Sequence, residues 1–131
     1  HFVTKKIIDT SLKMVKNNSL KLHLGDISVY RDWGWAPEYV KVMWLMLQQK
    51  KPNDFIIGSG KKYSIKDFVY EVFRLLKINK NRLKYNTKEL QRKTDIKSYT
   101  ANTNLIKKKL KWKPKISFKK IVFKMVNNEL F

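Results

Sequence analysis

The chain has 131 residues and no cysteine, which excludes a disulfide framework, a thiolate nucleophile and a thiolate zinc site. Its two histidines, His1 and His23, leave almost nothing for a histidine metal cluster. Its ten acidic residues are dispersed, so no pair of carboxylates stands at catalytic spacing. The longest apolar stretch, Val42 to Leu47, is far short of the roughly 20 residues that a membrane-spanning helix needs. The opening HFVTKKIIDT has neither the apolar run and small-residue cleavage site of a signal peptide nor an initiating Met. The expectation is a cytoplasmic chain cut from something longer. No internal repeat and no Gly/Ser linker divides it, and its size suits one modest domain with a real core.

What is present is positive charge. Thirty basic residues against ten acidic ones give a formal net charge of +20, with 26 Lys and only 4 Arg. Lys, Asn and Ile supply 47 residues, whereas Ala, Gly, Pro and Arg together supply 13, the skew that an A/T-rich coding sequence imposes whatever the function. A nucleic-acid reader uses Arg for two-pronged contacts; here Lys is spread over every segment and is densest at Lys107 to Lys115. Nonspecific, salt-sensitive binding to polyanions follows from the charge under either reading. A hydrophobic content of 43 % excludes a disordered chain all the same.

Periodicity predicts a helix over Phe2 to Val15, with Val3, Ile7, Ile8, Leu12 and Val15 on one side. Leu20 to Leu24 alternates and reads as a short strand. No period explains Ile27 to Trp35. Pro37 in a first turn, followed by Glu38, opens an apolar helix through Gln49. Phe55-Ile56-Ile57 reads as a buried strand before the Gly58-Ser59-Gly60 turn. Ser64 with Asp67 forms a capping box for a helix to Leu76. Asn79 to Thr94 is polar and unassigned. Asn102 or Asn104 can cap a helix through Leu110, and Ser117 caps a last helix carrying Ile121, Val122, Met125 and Val126. The order is α/β, with several helices and few short strands. Two strands do not make a stable sheet alone, so the remaining strands are expected elsewhere.

Chemical motifs are incomplete. The Gly58-Ser59-Gly60 turn continues into Lys61-Lys62-Tyr63, without the third glycine of a dinucleotide-binding loop. Neither Tyr63 nor Tyr70 is followed four residues later by Lys. No catalytic, cofactor-binding or metal-ligating residue is therefore assigned.

Specific residues nevertheless carry a resemblance. Leu24-Gly25-Asp26, Arg31-Asp32-Trp33-Gly34, Ala36, Glu38-Tyr39-Val40, Met43-Trp44, Met46-Leu47-Gln48-Gln49, Pro52 and Asp54-Phe55 resemble the GDP-mannose 4,6-dehydratase family. Phe2-Val3-Thr4-Lys5-Lys6-Ile7 is similar to that family's Phe-Val-Thr-Arg-Lys-Ile. Gly60, Tyr63-Ser64 and Phe68-Val69 match the helix start that follows. Lys109-Leu110 and Trp112-Lys113-Pro114 match its Lys-Leu-Gly-Trp-Lys-Pro, and Met125-Val126 its closing helix.

The resemblance implies that residues 1–131 are the carboxy-terminal, substrate-binding portion of an extended Rossmann-type nucleotide-sugar dehydratase. The family's Gly-rich NADP loop, catalytic Thr and Glu, and Tyr-x-x-x-Lys pair lie upstream of this segment. Such enzymes are NADP-dependent lyases that remove water from GDP-mannose through transient oxidation at C4. Their 4-keto-6-deoxy product leads to GDP-fucose and related sugars. The segment alone is expected to be inactive. Its partners are expected to be GDP-mannose and, in the full-length protein, further copies of itself, with no membrane and no specific nucleic acid.

By the same resemblance, substrate contacts fall on Thr4, Lys5, Lys6, Arg31 and Arg92. Arg31 either fixes its turn by bonding Asp32 or a carbonyl, or clamps the substrate pyrophosphate with a planar group that Lys does not copy. Arg92, before Lys93-Thr94-Asp95-Ile96, resembles the family's second clamp, with Lys93 for Pro and Asp95 for Glu; an ordinary surface Arg is the alternative. Thr4, Lys5 and Lys6 open a helix whose free N–H groups attract phosphate. Trp33, Trp35 and Trp44 read as core or interface aromatics, with guanine stacking as the alternative. His23 reads as a plain strand histidine. Two other functions compete: a dehydratase or epimerase segment for another nucleotide sugar, and a basic module binding polyanions or nucleic acid. The Val40 to Leu47 helix is expected to lie under the upstream domain.

Overall fold

A computed structural model of the chain describes residues 2–86 and 96–129. Five helices dominate: α1 (Val3–Lys16), α2 (Ala36–Leu47), α3 (Ile65–Leu75), α4 (Asn104–Leu110) and α5 (Phe118–Val126). Between them lie four two-residue strands, β1 (Leu22–His23), β2 (Tyr30–Arg31), β3 (Tyr63–Ser64) and β4 (Leu83–Lys84). β1 and β4 run parallel, with Leu22 opposite Leu83. β2 and β3 run antiparallel, with Arg31 opposite Tyr63. No helix among the described residues is long and apolar enough to cross a membrane.

The core forms where α3 packs on α1 and α5. Ile7, Ile8 and Met14 of α1 meet Phe68, Val69, Val72 and Phe73 of α3 and Phe118 and Val122 of α5, over Leu22, Leu24 and Leu83. Local chemistry starts two of these helices as the sequence predicts. The Ser64 N–H donates to the Asp67 carboxylate at 2.8 Å and the Asp67 N–H to Ser64 Oγ at 3.0 Å, a complete capping box. Ser117 Oγ accepts from the Lys120 N–H at 3.3 Å. At α4 the capping position is Thr103, which makes no side-chain cap bond; Asn102 Oδ1, one residue earlier, accepts the Asn104 N–H at 3.1 Å.

One expectation needs correction, and one unassigned stretch gains structure as far as residue 86, the rest of it to Thr94 lying outside the described residues. Phe55-Ile56-Ile57 belongs to neither sheet, and Ile56 is 53 % exposed. A strand exists only through ladder bonds to a neighbour, and none of the described residues supplies one. The polar stretch from Asn79 contains structure that its composition hides. Asn79 Oδ1 accepts from the Asn81 N–H, a 3₁₀ turn covers Lys80–Arg82, and β4 follows. Arg82 explains why the turn sits there. Its Nη2 donates to the carbonyls of Met14, Asn17 and Leu20 at 3.0, 2.7 and 2.9 Å, closing the carboxy-terminal end of α1.

On α2 the apolar residues fall on two faces. Val42 is fully buried, whereas Val40, Met43, Trp44 and Leu47, at helical spacing, are 51–81 % exposed. The helices also end in an unusual way. Lys111 closes α4 in the left-handed conformation at φ 52°, the position that glycine takes in the family motif quoted above. A left-handed lysine costs about 1 kcal/mol of backbone strain. Lys111→Gly is therefore expected to raise the midpoint of urea unfolding; an unchanged midpoint would show that the turn carries no strain.

Candidate functional site

The end of β2 is tied to segments on both sides of it. Tyr30 pairs with Ser64 of β3 on one side and bridges in parallel to Ser98 on the other, its N–H donating to the Lys97 carbonyl at 2.8 Å. Arg31 is half-buried, and its Nη1 donates to the carbonyls of Tyr30 at 2.8 Å and Ile96 at 2.6 Å. Of the two roles the sequence leaves open, carbonyl bonding is thus observed, and it holds the guanidinium between β2 and the 96–98 segment.

Asp32 comes next. Its carboxylate accepts three backbone N–H groups: Ser59 at 2.8 Å, Gly60 at 2.9 Å and Ala101 at 3.1 Å. Gly58 is required by this arrangement, because a Cβ there would overlap the Ala101 methyl and stand 3.0 Å from Asp32 Oδ2. Gly60 turns at φ 70°. Gly34 lies under the Tyr39 ring, where a Cβ would collide with the phenol oxygen. Burial, with the nearby Asp32, Glu38 and Tyr99, pushes the Tyr39 hydroxyl up to about 12. The phenol is therefore a neutral group at physiological pH.

Aromatics brace this region from below. Trp33 Nε1 donates to the Tyr63 carbonyl at 3.2 Å, and its ring lies 5.1 Å from Phe68. The Tyr63 ring stacks on Phe118 at 4.0 Å. Trp35 is buried at the start of α2, beneath Lys124 at 5.4 Å. Trp33 and Trp35 are accordingly packing residues, whereas Trp44 is 61 % exposed. Glu38 does more than favour a helix start: it accepts the N–H groups of Lys115 at 2.8 Å and Ile116 at 3.2 Å, tying α2 to the entry of α5. Sequence reading missed these contacts of Asp32 and Glu38, because an acidic side chain carries no sign of which distant amides it will meet.

The other candidates are not gathered at Arg31 by any described partner. Thr4, Lys5 and Lys6 occupy the first turn of α1, which has no side-chain cap and no acid. Lys5 pairs with Asp9 of its own helix at 3.0 Å. Arg92 lies outside the described residues. His23 is exposed on β1. A cleft of about 570 Å³ opens between residues 54–56 and Asn102, Leu105 and Lys108, and neither Arg31 nor the first turn of α1 lines it.

A dinucleotide does not fit the glycine turn. Its amides at Ser59 and Gly60 already donate to Asp32, so a phosphate would have to displace a carboxylate of the same sign. No step involving NADP is assigned to these residues.

The fold is that of Rossmann-type nucleotide-sugar dehydratases and epimerases. RMD from Pseudomonas aeruginosa, solved with NADPH, superposes with a TM-score of 0.79 at 15 % identity, over 95 % of this chain and 41 % of its own. UDP-glucose 4-epimerase from Thermotoga maritima, solved with UDP-glucose, gives 0.73 at 22 % identity, over 92 % and 38 %. Within that class, the chain belongs to the GDP-mannose 4,6 dehydratase family, whose profile matches residues 1–125. GDP-mannose 4,6 dehydratase 1 of Arabidopsis thaliana is 36 % identical over 99 % of this chain, and the human GDP-mannose 4,6 dehydratase 32 % over 99 %. The chain spans 36 % and 40 % of the length of these two relatives.

The Gly58 contact is directly testable. Gly58→Ala is expected to destabilise the fold by about 1–3 kcal/mol through overpacking against Ala101. Ala101→Gly in the same chain should recover most of that loss in urea denaturation, whereas simple additivity of the two changes would refute the contact.

Proposed function

We infer that this chain is the nucleotide-sugar-binding, carboxy-terminal portion of a cytoplasmic GDP-mannose 4,6-dehydratase, and that Arg31 holds the substrate pyrophosphate. The family match over residues 1–125 carries the reading. Arg31 supports it physically. In a chain with 26 Lys and 4 Arg, a guanidinium stands at the end of β2, already oriented by two carbonyls, and a planar fork suits two phosphate oxygens. Thr4, Lys5 and Lys6, on an uncapped helix start, and Arg92 are the further proposed contacts. The exposed stripe Val40, Met43, Trp44 and Leu47 and the unpaired Phe55-Ile57 segment support an upstream sheet that covers both. On this reading NADP and the proton-transfer residues belong to that upstream domain, as does the lyase chemistry leading towards GDP-fucose. Homo-oligomer formation is likewise proposed for the full-length protein.

The segment is then a binding module without chemistry of its own. Incubated with GDP-mannose and NADP, the purified chain should form no 4-keto product above the buffer control; turnover would place catalytic groups within these 131 residues.

Calorimetric titration tests the clamp. The chain should bind GDP in preference to UDP and should not bind mannose. Arg31→Lys keeps the charge but loses the fork, and should weaken GDP binding by about one to two orders of magnitude. Equal affinity for GDP and UDP would favour another nucleotide sugar. Unchanged GDP affinity in Arg31→Lys would end the assignment of Arg31.

A further inference from the structure

We propose that Asp32 is the positioning residue for Arg31, setting where the guanidinium stands by pinning the segment that holds it; the inference rests on the pyrophosphate reading of Arg31. An acid directly after an arginine invites the reading of a simple ion pair. The contacts of this carboxylate point elsewhere, to backbone N–H groups of Ser59, Gly60 and Ala101 at 2.8–3.1 Å. These amides come from two segments far apart in sequence, on either side of β2.

The geometry links them to Arg31. The segment from Ile96 to Ala101 is attached to β2 at both ends. At its start, the Ile96 carbonyl receives Arg31 Nη1 at 2.6 Å and the Lys97 carbonyl receives the Tyr30 N–H at 2.8 Å. At its end, the Ala101 N–H donates to Asp32 Oδ2. Residues 96–100 are otherwise exposed, so little packing holds the segment between these attachments. The same carboxylate fixes the Gly58-Ser59-Gly60 turn that leads into β3, the partner strand of Arg31. Hydrogen bonds to a charged acceptor are the stronger kind. Without the carboxylate, the 96–101 segment loses its attachment at Ala101. It keeps those at its start together with the exposed Lys62–Ser98 hydrogen bond at 3.2 Å, so the carbonyl that orients Arg31 is held less firmly.

Coulomb's law and positioning predict opposite signs. A carboxylate beside a phosphate site repels the ligand, so its neutralisation alone should tighten GDP binding. Positioning predicts that Asp32→Asn binds GDP about tenfold more weakly despite the gain in positive charge, because an amide replaces a charged acceptor by a weaker one and turns a donor towards an N–H. Acting through Arg31, the change should add nothing further in an Arg31→Lys background.

The experiment uses the whole 131-residue chain, with GDP titrations of wild type, Asp32→Asn, Arg31→Lys and the double variant, each beside its melting curve. Side-chain NMR supplies a reading independent of ligand, since four arginines give few guanidinium signals. Separate Nη resonances of Arg31 in the wild type should merge in Asp32→Asn. Equal or tighter GDP binding by Asp32→Asn, or losses that add to those of Arg31→Lys, overturn the positioning role and leave the clamp standing. A wild-type chain that binds no GDP overturns the clamp; the NMR comparison then decides the positioning role, and unmerged Arg31 signals in Asp32→Asn overturn it. If Asp32→Asn does not melt cooperatively, Asp32→Ser, which still accepts one N–H, replaces it in both measurements.

Discussion

A single carboxylate holding three backbone amides organises this fold. The donors to Asp32 are the N–H groups of Ser59 and Gly60, 27 and 28 positions on, and of Ala101, 69 positions on. Three stretches of chain that share no helix or long strand meet at that point. The two-residue strands β2 and β3 are too short to stand alone, and the close approach of Gly58 to the Ala101 methyl lies where the carboxylate bonds both backbones. The hydrophobic core of α1, α3 and α5 lies to one side and fixes the bulk of the molecule. The register of its functional edge is fixed here.

Arginine marks the places where shape matters. Each of the three arginines among the described residues makes a contact that an ammonium on a flexible stem does not reproduce. Arg82 gathers three carbonyls at the end of α1, and Arg31 bonds two at the end of β2. Arg74 grips both oxygens of Glu71 at 3.0 and 2.7 Å, which holds that carboxyl below its usual range. Elsewhere the basic residues are almost all lysine, and a lysine even occupies a left-handed helix end at Lys111. The described guanidinium groups thus share one use, holding two or more oxygens in a fixed geometry.

What the sequence revealed was local. The Ser64–Asp67 box, the Ser117 cap and the buried face of α3 depend on residues three or four apart, and each was legible. What it concealed was long-range. The contacts of Arg82 with α1 and Leu20 reach across 62 to 68 positions and those of Glu38 across 77 and 78, and no periodicity encodes them. The strand expected at Phe55-Ile57 shows the same principle in reverse: its residues have the right character, but a ladder is a property of two segments. At the candidate site, the sequence offered carbonyl bonding as one role of Arg31, but neither its place on β2 nor the identity of the distant carbonyl, Ile96, 65 positions on, was legible.

The exposed stripe on α2 also sets how the chain behaves as a colloid. Val40, Met43, Trp44 and Leu47 would draw copies together, yet each copy carries a formal charge of +20. At low ionic strength that repulsion reaches across tens of ångströms and keeps the stripes apart. At about 0.15 M salt it decays within about 8 Å. Solubility should thus fall as salt rises, opposite to the salting-in of a protein near its isoelectric point, and purification in dilute buffer follows from the geometry of one helix.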